Sequence, residues 1–205
     1  LKETIEAYRR NDPAARSGWE VFWLYNGLHA TMYYRVAHWL YEHRLRFLGR
    51  WVSQFARRRT GIEIHPAAKI GRRLVIDHGT GIVIGATTEI GDDCLLYQNV
   101  TLGGTGMTSG KRHPTLGNNV MVGSGAKVLG PFRVGDNARI AANAVVLREV
   151  PEGATVVGVP GRIVRLCGDK LDHIHTPDPV MLEIEELKRR MALLEEQIND
   201  TKKET

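Results

Sequence analysis

Two short polar segments of this chain have residue types that can do acid–base and ion-binding chemistry. They are Asp77-His78 and Arg112-His113-Pro114. An imidazole with its ordinary pKa of about 6.5 is half neutral or more at cellular pH, so a histidine can accept a proton from a substrate. The planar guanidinium of an arginine suits a carboxylate better than a point charge does.

The elements that must position these residues are predicted by a six-residue period. An aliphatic residue recurs at every sixth position in three series, Ile64 to Ile82, Ile84 to Leu102 and Leu116 to Val146. This period fits neither an α-helix nor a lone strand, and it is typical of a parallel β-helix in which each hexad gives one short strand and one turn. An all-β sandwich is the alternative, and it would not keep this phase for six hexads.

Two breaks in the period indicate where function is expected. One is a two-residue slip between Ile82 and Ile84, just after Asp77-His78. The other is the glycine-rich run GGTGMTSGKRHPT, where 14 residues separate Leu102 from Leu116 in place of the 12 that two hexads take. Solenoids accept insertions as loops that leave the stack, and such loops usually carry function. We expect this run to be a mobile arm that delivers a cation and an imidazole to a site on the coil.

The chain is predicted to have three regions. Residues 1–60 form an N-terminal α-helical region, 61–165 the parallel β-helix catalytic domain, and 166–205 a C-terminal tail with an amphipathic or coiled-coil helix. Asp12-Pro13 favours a helix start, with Asp as the cap and Pro in the first turn. The four tryptophans of the helical region, Trp19, Trp23, Trp39 and Trp51, are predicted to be packing residues.

The tail has apolar residues at alternating spacings of four and three. They are Val180, Ile184, Leu187, Met191, Leu194 and Ile198. The spacing is that of an a/d seam, so a short coiled coil is possible, and a single helix folding back on the domain fits equally well.

Composition narrows the classes of function. The chain has 205 residues, 42% of them hydrophobic, and a formal net charge of +5. No apolar run reaches 18 residues and no hydrophobic signal segment opens the sequence, so we expect a cytoplasmic protein that does not enter a membrane. The arginines between Arg44 and Arg59 favour a solvated helix face over nucleic-acid binding, because no reading motif accompanies them. Two distant cysteines suggest no disulfide framework.

Five segments together resemble serine O-acetyltransferase, the hexapeptide-repeat enzyme that opens cysteine biosynthesis. They are GIEIHPAAKIG, IDHGTGIVIG, NVTLGGTG, KRHPTLG and GVPGRIV. The resemblance runs from Asp12 to Arg165, and the short N-terminal part resembles the compact bacterial and archaeal members. It implies a mainly β fold, a left-handed parallel β-helix with an N-terminal α-helical region and a C-terminal helix. The sequence itself shows no handedness, and the rule for parallel connections predicts the opposite hand.

The resemblance implies transfer of acetyl from acetyl-CoA to the hydroxyl of L-serine, which gives O-acetyl-L-serine and CoA. It makes His78 the base that takes the hydroxyl proton. The carboxylate partner of this base is then Glu63, where the family has Asp, and the longer side chain can still fix the tautomer of the imidazole.

Substrate binding is implied in the same way. Asp12 and Asp77 hold the ammonium group of serine, and Arg112 binds its carboxylate. His113 orients the substrate or stabilises charge on the thioester oxygen. Each residue also has a structural interpretation, since Asp12 can cap a helix, Asp77 can sit in a turn, and Arg112 and His113 can be loop surface. His65 is predicted to be structural.

For acetyl-CoA, the resemblance implies that the pantetheine arm lies in the groove between adjacent β-helices. The candidate contacts are Gly104, Thr105, Ser124, Ala126, Ala142 and Arg162. Small residues at these corners also permit tight turns. A site between subunits predicts a homo-oligomer, a trimer or a multiple of trimers. We expect direct transfer within a ternary complex, because no Ser or Cys nucleophile has an activated setting. No metal is expected.

Two further partners follow from the resemblance. Cysteine resembles serine and is expected as a feedback inhibitor at the same site. Many family members end in Ile, which inserts into O-acetylserine sulfhydrylase, whereas this chain ends Lys203-Glu204-Thr205, which argues against that complex.

Three alternatives stay open. The first is another hexapeptide-repeat acetyltransferase, with a sugar or an antibiotic as acceptor. The second is a zinc-dependent carbonic anhydrase with His65, His78 and His113 as ligands, although that family expects a closely spaced His pair on successive corners of a coil. The third is a non-catalytic scaffold, which would not bind CoA.

Overall fold

Four helices precede the repeat. The computed structural model describes residues 1–107, 109–165 and 186–191. The helices are α1 (Lys2–Asn11), α2 (Gly18–Leu24), α3 (Asn26–Glu42) and α4 (Arg46–Thr60). Ser17 caps α2 by accepting the N–H of Glu20 at 3.1 Å, and α4 ends at Gly61 in the left-handed region.

Asp12-Pro13 does not begin a helix, so that prediction is wrong. Asp12 follows α1 with an extended backbone, and its Oδ1 accepts the N–H of Ala14 at 2.8 Å. Asp and Asn favour such local turns because their short side chains hydrogen-bond the backbone two residues on. The next helix begins only at Gly18, so the carboxylate of Asp12 lies in a turn between two helices.

Fifteen short strands follow in the part of the chain that the structure describes. They are β1 (Glu63–Ile64), β2 (Lys69–Ile70), β3 (Val75–Ile76), β4 (Val83–Ile84), β5 (Glu89–Ile90), β6 (Leu95–Leu96), β7 (Thr101–Gly103), β8 (Thr115–Leu116), β9 (Met121–Val122), β10 (Lys127–Leu129), β11 (Arg133–Val134), β12 (Arg139–Ile140), β13 (Val145–Val146), β14 (Thr155–Val157) and β15 (Arg162–Arg165).

The strands build three sheets, which the strands from β1 to β13 visit in turn. The first sheet is β1-β4-β7-β10-β13, the second is β2-β5-β8-β11, and the third is β3-β6-β9-β12-β14-β15. All pairings are parallel except that of β14 with β15. The chain is therefore a three-sided coil, as the six-residue period predicts. We call the turn from the first sheet to the second the first corner, the turn from the second to the third the second corner, and the turn from the third back to the first the third corner.

The register of the coils gives the size of both breaks. Val83 pairs with Thr101 one coil later, so a regular coil takes 18 residues. Glu63 pairs with Val83, so the first coil has two extra residues, and they lie in the third corner that contains His78.

The glycine-rich run is a larger insertion than the sequence predicts. Glu89 pairs with Thr115, which makes that coil eight residues longer than a regular one. β7 and β8 are consecutive strands, so the run replaces one turn and contains no hexad of its own. The described residues of 104–114 form no strand, because the run has no aliphatic side chain to place in the core.

The interior of the coil is filled by the aliphatic residue of each strand and a small residue at each corner. The side chains of Ile76, Leu96, Leu102 and Leu116 are buried among them. Burial of each such side chain contributes about 1.5–3 kcal/mol, and truncating one to alanine is expected to cost about 2–5 kcal/mol. This rigid core holds the corners in fixed places.

The helices fix the end of β3. The hydroxyl of Tyr8 in α1 accepts the N–H of Ile76 at 3.1 Å and donates to its carbonyl at 3.3 Å. Gly27 lies against the same carbonyl, and a Cβ at that position would be 2.1 Å from the oxygen. Only glycine permits α3 to approach so closely. Together these contacts hold the backbone immediately before Asp77-His78.

The four tryptophans are exposed, so their prediction as packing residues is wrong for the single chain. Their exposed fractions run from 56% to 72%. The helices contribute mostly smaller residues to the interior, including Ala30, Ala37, Gly49 and Ala56. The four tryptophans are therefore left on the outer face, whereas Tyr34 of α3 is buried in the core.

The chain divides into two compact units, Leu1–Gly168 and Asp169–Thr205. In the second unit the described residues 186–191 are helical. Four positions of the predicted a/d seam lie outside the described residues, so the coiled coil and the three-region division stay predictions. Within the described segments, every helix is too short or too polar to cross a bilayer.

Candidate active site

Asp77 and His78 lie in the third corner of the first coil, directly after β3. His78 has a φ of +56°, and Gly79 follows with +79°. A left-handed backbone is uncommon for a histidine and costs free energy, and such residues cluster at functional sites. The side chain of His78 is 74% exposed, and its Nε2 is 4.0 Å from Oδ1 of Asp77. The imidazole therefore points out of the coil and is free to meet a ligand.

Glu63 lies beside the same corner, as the first residue of β1. The N–H of Gly81 donates to the carbonyl of Gly61 at 2.9 Å, so this corner is stacked directly on the residues that precede Glu63. The carboxylate of Glu63 is 3.3 Å from Nε of Arg57 in α4. In the described part of the chain it makes no hydrogen bond to His78. The predicted pair of base and carboxylate stays a prediction.

Asp12 reaches this corner through a residue that sequence reasoning missed. The hydroxyl of Tyr25, between α2 and α3, donates to Oδ2 of Asp12 at 2.5 Å. Burial, followed by the hydrogen bond and charge of Asp12, raises the pKa of Tyr25 to about 12, and the charge of Asp77 adds to the rise. Burial also raises the pKa of Tyr97, again with the charges of Asp77 and Asp12. The ring of Tyr25 also packs edge-on against that of Tyr8 at 5.6 Å between centroids, and Tyr8 is bonded to Ile76, so Tyr25 links the carboxylate of Asp12 to the backbone just before Asp77.

Arg112 and His113 lie at a different corner, the first, at the end of the glycine-rich run. Oγ1 of Thr87 accepts the N–H of Arg112 at 3.1 Å and that of His113 at 3.2 Å. The base of the run is closed by the N–H of Thr105, which donates to the carbonyl of Arg112 at 3.2 Å. Lys111 Nζ donates to the carbonyl of Thr87 at 2.7 Å. The end of the run is thus tied to the corner before β5.

The imidazole of His113 fits a space made by two glycines. A Cβ on Gly85 would lie 2.0 Å from its Nε2, and one on Gly104 would lie 3.1 Å from the same atom. The residue is only 7% exposed. Burial, helped by the charges of Arg112 and Lys111, lowers the pKa of His113, so the ring is neutral at cellular pH.

His65 is a structural residue of the first corner. Its Nδ1 accepts the N–H of Ala67 at 3.0 Å, which requires an unprotonated nitrogen. Burial and then the charge of Arg50 lower the pKa of His65 to about 4, with His113 and Arg112 contributing. The cationic form is therefore disfavoured in the folded protein.

This shift predicts an acid-dependent loss of stability. The contribution of neutral His65 is complete above the unfolded pKa of about 6.5 and is lost as the pH falls towards 4, because the unfolded chain then binds the proton more tightly. We expect His65→Asn, whose amide oxygen can accept the same N–H, to reduce the loss between pH 6.5 and 4 by roughly 1–2 kcal/mol. Thermal melts of both proteins at several pH values measure the difference. Identical pH profiles would contradict this role.

The candidate CoA contacts are divided between corners. Gly104 and Thr105 lie in the first corner, Ser124, Ala126 and Ala142 in the third, and Arg162 in β15. Ala126 is fully buried, and its N–H and carbonyl are bonded to Gly123 and Thr101, so it has no group to offer a ligand. Gly104 and Ala142 are exposed.

Within one chain, the structure gathers the predicted residues into two separate groups. Asp12, Asp77 and His78 are at the third corner, with Glu63 beside it, and Arg112 and His113 are at the first. The first sheet separates these two corners in the three-sided coil. No group of three His, Cys, Asp or Glu side chains in the described residues could hold a metal ion.

The coil and its repeat match a known family model, the bacterial transferase hexapeptide (six repeats), over residues 113–148. The serine acetyltransferase of Synechococcus elongatus is 54% identical over 190 residues, which are 91% of this chain and 78% of that protein. That of Bacillus pumilus is 52% identical over 198 residues, 95% of this chain and 91% of the relative.

Comparison with solved structures also finds serine acetyltransferases. The serine acetyltransferase of Neisseria gonorrhoeae superposes with a TM-score of 0.80 and 37% identity, over 82% of this chain and 66% of that one. This chain therefore spans just under two thirds of the length of that solved protein. Other solved serine acetyltransferases hold cysteine, with a TM-score of 0.79 and 44% identity, or CoA, with 0.74 and 43%.

The coil, its hexapeptide period and the family model define a hexapeptide-repeat transferase with a left-handed parallel β-helix. Within that class, the identity to relatives over most of both chains settles the family. The chain belongs to the serine acetyltransferases. Its activity is transfer of acetyl from acetyl-CoA to the hydroxyl of L-serine, as the sequence predicts. The other acceptors, the carbonic anhydrase and the scaffold are set aside.

Proposed function

We propose that the active site of this serine acetyltransferase is completed by two copies of the chain. The observation that supports this is the separation of the acid–base and carboxylate-binding residues onto two corners of one rigid coil. A threefold arrangement of coils brings the third corner of one copy to the first corner of the next, and each closed ring then contains three equivalent sites. The working unit is a trimer or a multiple of trimers.

One copy supplies the base and the ammonium site. Asp12 and Asp77 bind the ammonium group of serine, which places its hydroxyl beside His78. The imidazole removes the hydroxyl proton as the oxygen attacks the thioester carbon. Glu63 holds the other ring nitrogen and stabilises the imidazolium.

The neighbouring copy supplies the carboxylate site. Arg112 binds the carboxylate of serine with its guanidinium fork, and His113 donates a hydrogen bond to a negatively charged oxygen of the substrates. The tetrahedral intermediate then collapses and the C–S bond breaks. The proton passes from the imidazolium of His78 to the sulfur of CoA, so transfer is direct and the protein ends unmodified.

The groove between the copies accommodates the pantetheine arm. Gly104 and Thr105 of one copy face Ser124 and Ala142 of the other in this arrangement, with Arg162 at the far end. Glycine and alanine leave backbone groups accessible to a ligand.

Cysteine is proposed to inhibit by occupying the serine site. A solved serine acetyltransferase holds cysteine. Cysteine has the same ammonium and carboxylate groups as serine, so Asp12, Asp77 and Arg112 bind both. The cytoplasmic location and the argument against a sulfhydrylase complex stay predictions.

The test is thiol release from acetyl-CoA with each common amino acid in turn as acceptor. Serine-dependent release with O-acetyl-L-serine as the product is expected. Inhibition of this release by cysteine that is relieved by excess serine supports a shared site. Release with a sugar acceptor and none with serine would overturn the substrate while leaving the fold untouched.

Tyr25→Phe tests the ammonium site. The variant removes the hydroxyl that donates to Asp12 and leaves the ring in place, so we expect the KM for serine to rise by roughly 3–10-fold, the effect of one hydrogen bond. The kcat and the KM for acetyl-CoA are expected to change little. Steady-state kinetics with each substrate varied measures both constants. An unchanged KM for serine would show that Asp12 needs no such support.

A further inference from the structure

Thr87 contacts the two substrate-facing residues of the glycine-rich run. It follows β4 at the first corner, and its Oγ1 accepts the backbone N–H groups of Arg112 and His113 at 3.1 and 3.2 Å. The same oxygen lies 2.8 Å from Nδ1 of His113. The backbone N–H of Thr87 points to that nitrogen too, at 3.3 Å.

These contacts determine which nitrogen of His113 carries the proton. A hydroxyl has two acceptor positions and one donor. Both acceptor positions of Thr87 are used by backbone N–H groups, so its hydroxyl proton is directed to Nδ1 of His113. The N–H of Thr87 is directed there as well. Nδ1 is therefore an acceptor, and the proton of the neutral ring is on Nε2.

The protonated nitrogen faces the space between the two glycines. Nε2 of His113 would lie 2.0 Å from a Cβ on Gly85 and 3.1 Å from a Cβ on Gly104, so it borders both glycines. It has no hydrogen-bond partner among the described residues, and it is not one of their fully buried unpaired atoms, so a ligand can reach its N–H. Since Gly104 is exposed on the arm, a ligand can approach from that side.

We propose that Thr87 is a positioning residue that holds His113 as an Nε2–H donor to a negatively charged oxygen of the substrates. His113 is then a hydrogen-bond donor and not a proton acceptor, which leaves His78 as the single base. The inference rests on the proposed function for the identity of that oxygen. The assignment of the tautomer depends only on contacts within this chain.

The tautomer of His113 is measured by nitrogen NMR on the full chain with isotope-labelled histidine side chains, in the absence of substrate. The signal of His113 is assigned by its loss in His113→Gln. We expect an unprotonated Nδ1 and a protonated Nε2 in the wild type and in Thr87→Ser, which keeps the hydroxyl. In Thr87→Val, which keeps the shape, we expect a mixture of tautomers. A wild-type His113 protonated on Nδ1 would overturn the proposal.

Kinetics of the same variants gives an independent readout. Thr87→Val is expected to lower kcat/KM for serine by roughly 10-fold or more, with Thr87→Ser near the wild type. His113→Gln, whose amide can donate from the place of Nε2, should keep more activity than His113→Asn. A loss in kcat assigns the acceptor to the thioester oxygen, and a rise in the KM for serine assigns it to the carboxylate.

The two proposals fail in different ways. Equal kcat/KM in Thr87→Val and Thr87→Ser would reject the positioning role even if serine is acetylated. Absence of serine-dependent release in the wild type would reject the proposed function and leave the tautomer measurable. Matching Tm values across the variants confirm that folding is not the cause of a loss.

Discussion

Replacing His78 by asparagine is expected to lower kcat by roughly 10²–10⁴-fold, the contribution of a positioned general base. Asparagine cannot take the hydroxyl proton of serine. It does tolerate the left-handed backbone that His78 adopts at a φ of +56°, and Asn99 and Asn143 adopt the same conformation at this corner in later coils. The loss therefore measures chemistry and not a distorted turn. Acetyl-CoA turnover at saturating serine gives the kcat.

A second variant at this position separates the loss of the base from strain in the backbone. His78→Ala removes the same base but adds backbone strain, because alanine is disfavoured at positive φ. We expect equal losses of kcat in the two variants and a lower Tm only for His78→Ala. An asparagine variant with more than about a tenth of the wild-type kcat would show that another group takes the proton.

Mixing two inactive variants is expected to restore activity. Arg112→Ala should lose roughly 10–100-fold in kcat/KM for serine, since its hydrogen bonds to a carboxylate are charge-assisted. In trimers assembled at random from equal amounts of Arg112→Ala and His78→Asn chains, about one site in four combines an intact third corner with an intact first corner. Co-expression with two different affinity tags isolates the mixed trimers, each of which contains about one such site in three, so their kcat/KM should approach about a third of the wild-type value.

The matched control uses two variants of the same corner. Asp12→Ala and His78→Asn both damage the third-corner group, so no mixture of the two produces an intact one. No recovery is expected from that pair. Recovery in neither mixture would mean that each site is built within one chain, and the two-copy proposal would be wrong.

The period of the sequence was sufficient to predict the coil because it is a local pattern. An aliphatic residue at every sixth position repeats the same strand and turn, and each hexad buries its own side chain, as Leu96 and Leu102 do. The same local pattern failed inside the glycine-rich run. With no aliphatic residue to count, the six-residue period predicts a hexad between Leu102 and Leu116 where the structure has one long turn.

Residues that act through contacts with distant parts of the chain were not predicted. Thr87 is 26 positions from His113, and Tyr25 is 13 from Asp12. Neither has a neighbour in sequence that distinguishes it from an ordinary turn or helix-end residue. Their roles come from hydrogen bonds that exist only once the helices and coils are packed.

The sequence by itself determined the repeat, the family and the residue types available for acetyl transfer, since all three depend on identity and spacing along the chain. Only the tertiary structure decided that Asp12 joins Asp77 and His78 while Arg112 and His113 lie one corner away. The physical reason is the coil itself. Because the strands visit the three sheets in turn, the number of strands before a residue decides which corner it occupies. The rigid packed core then keeps two corners of one chain from closing on the same substrate.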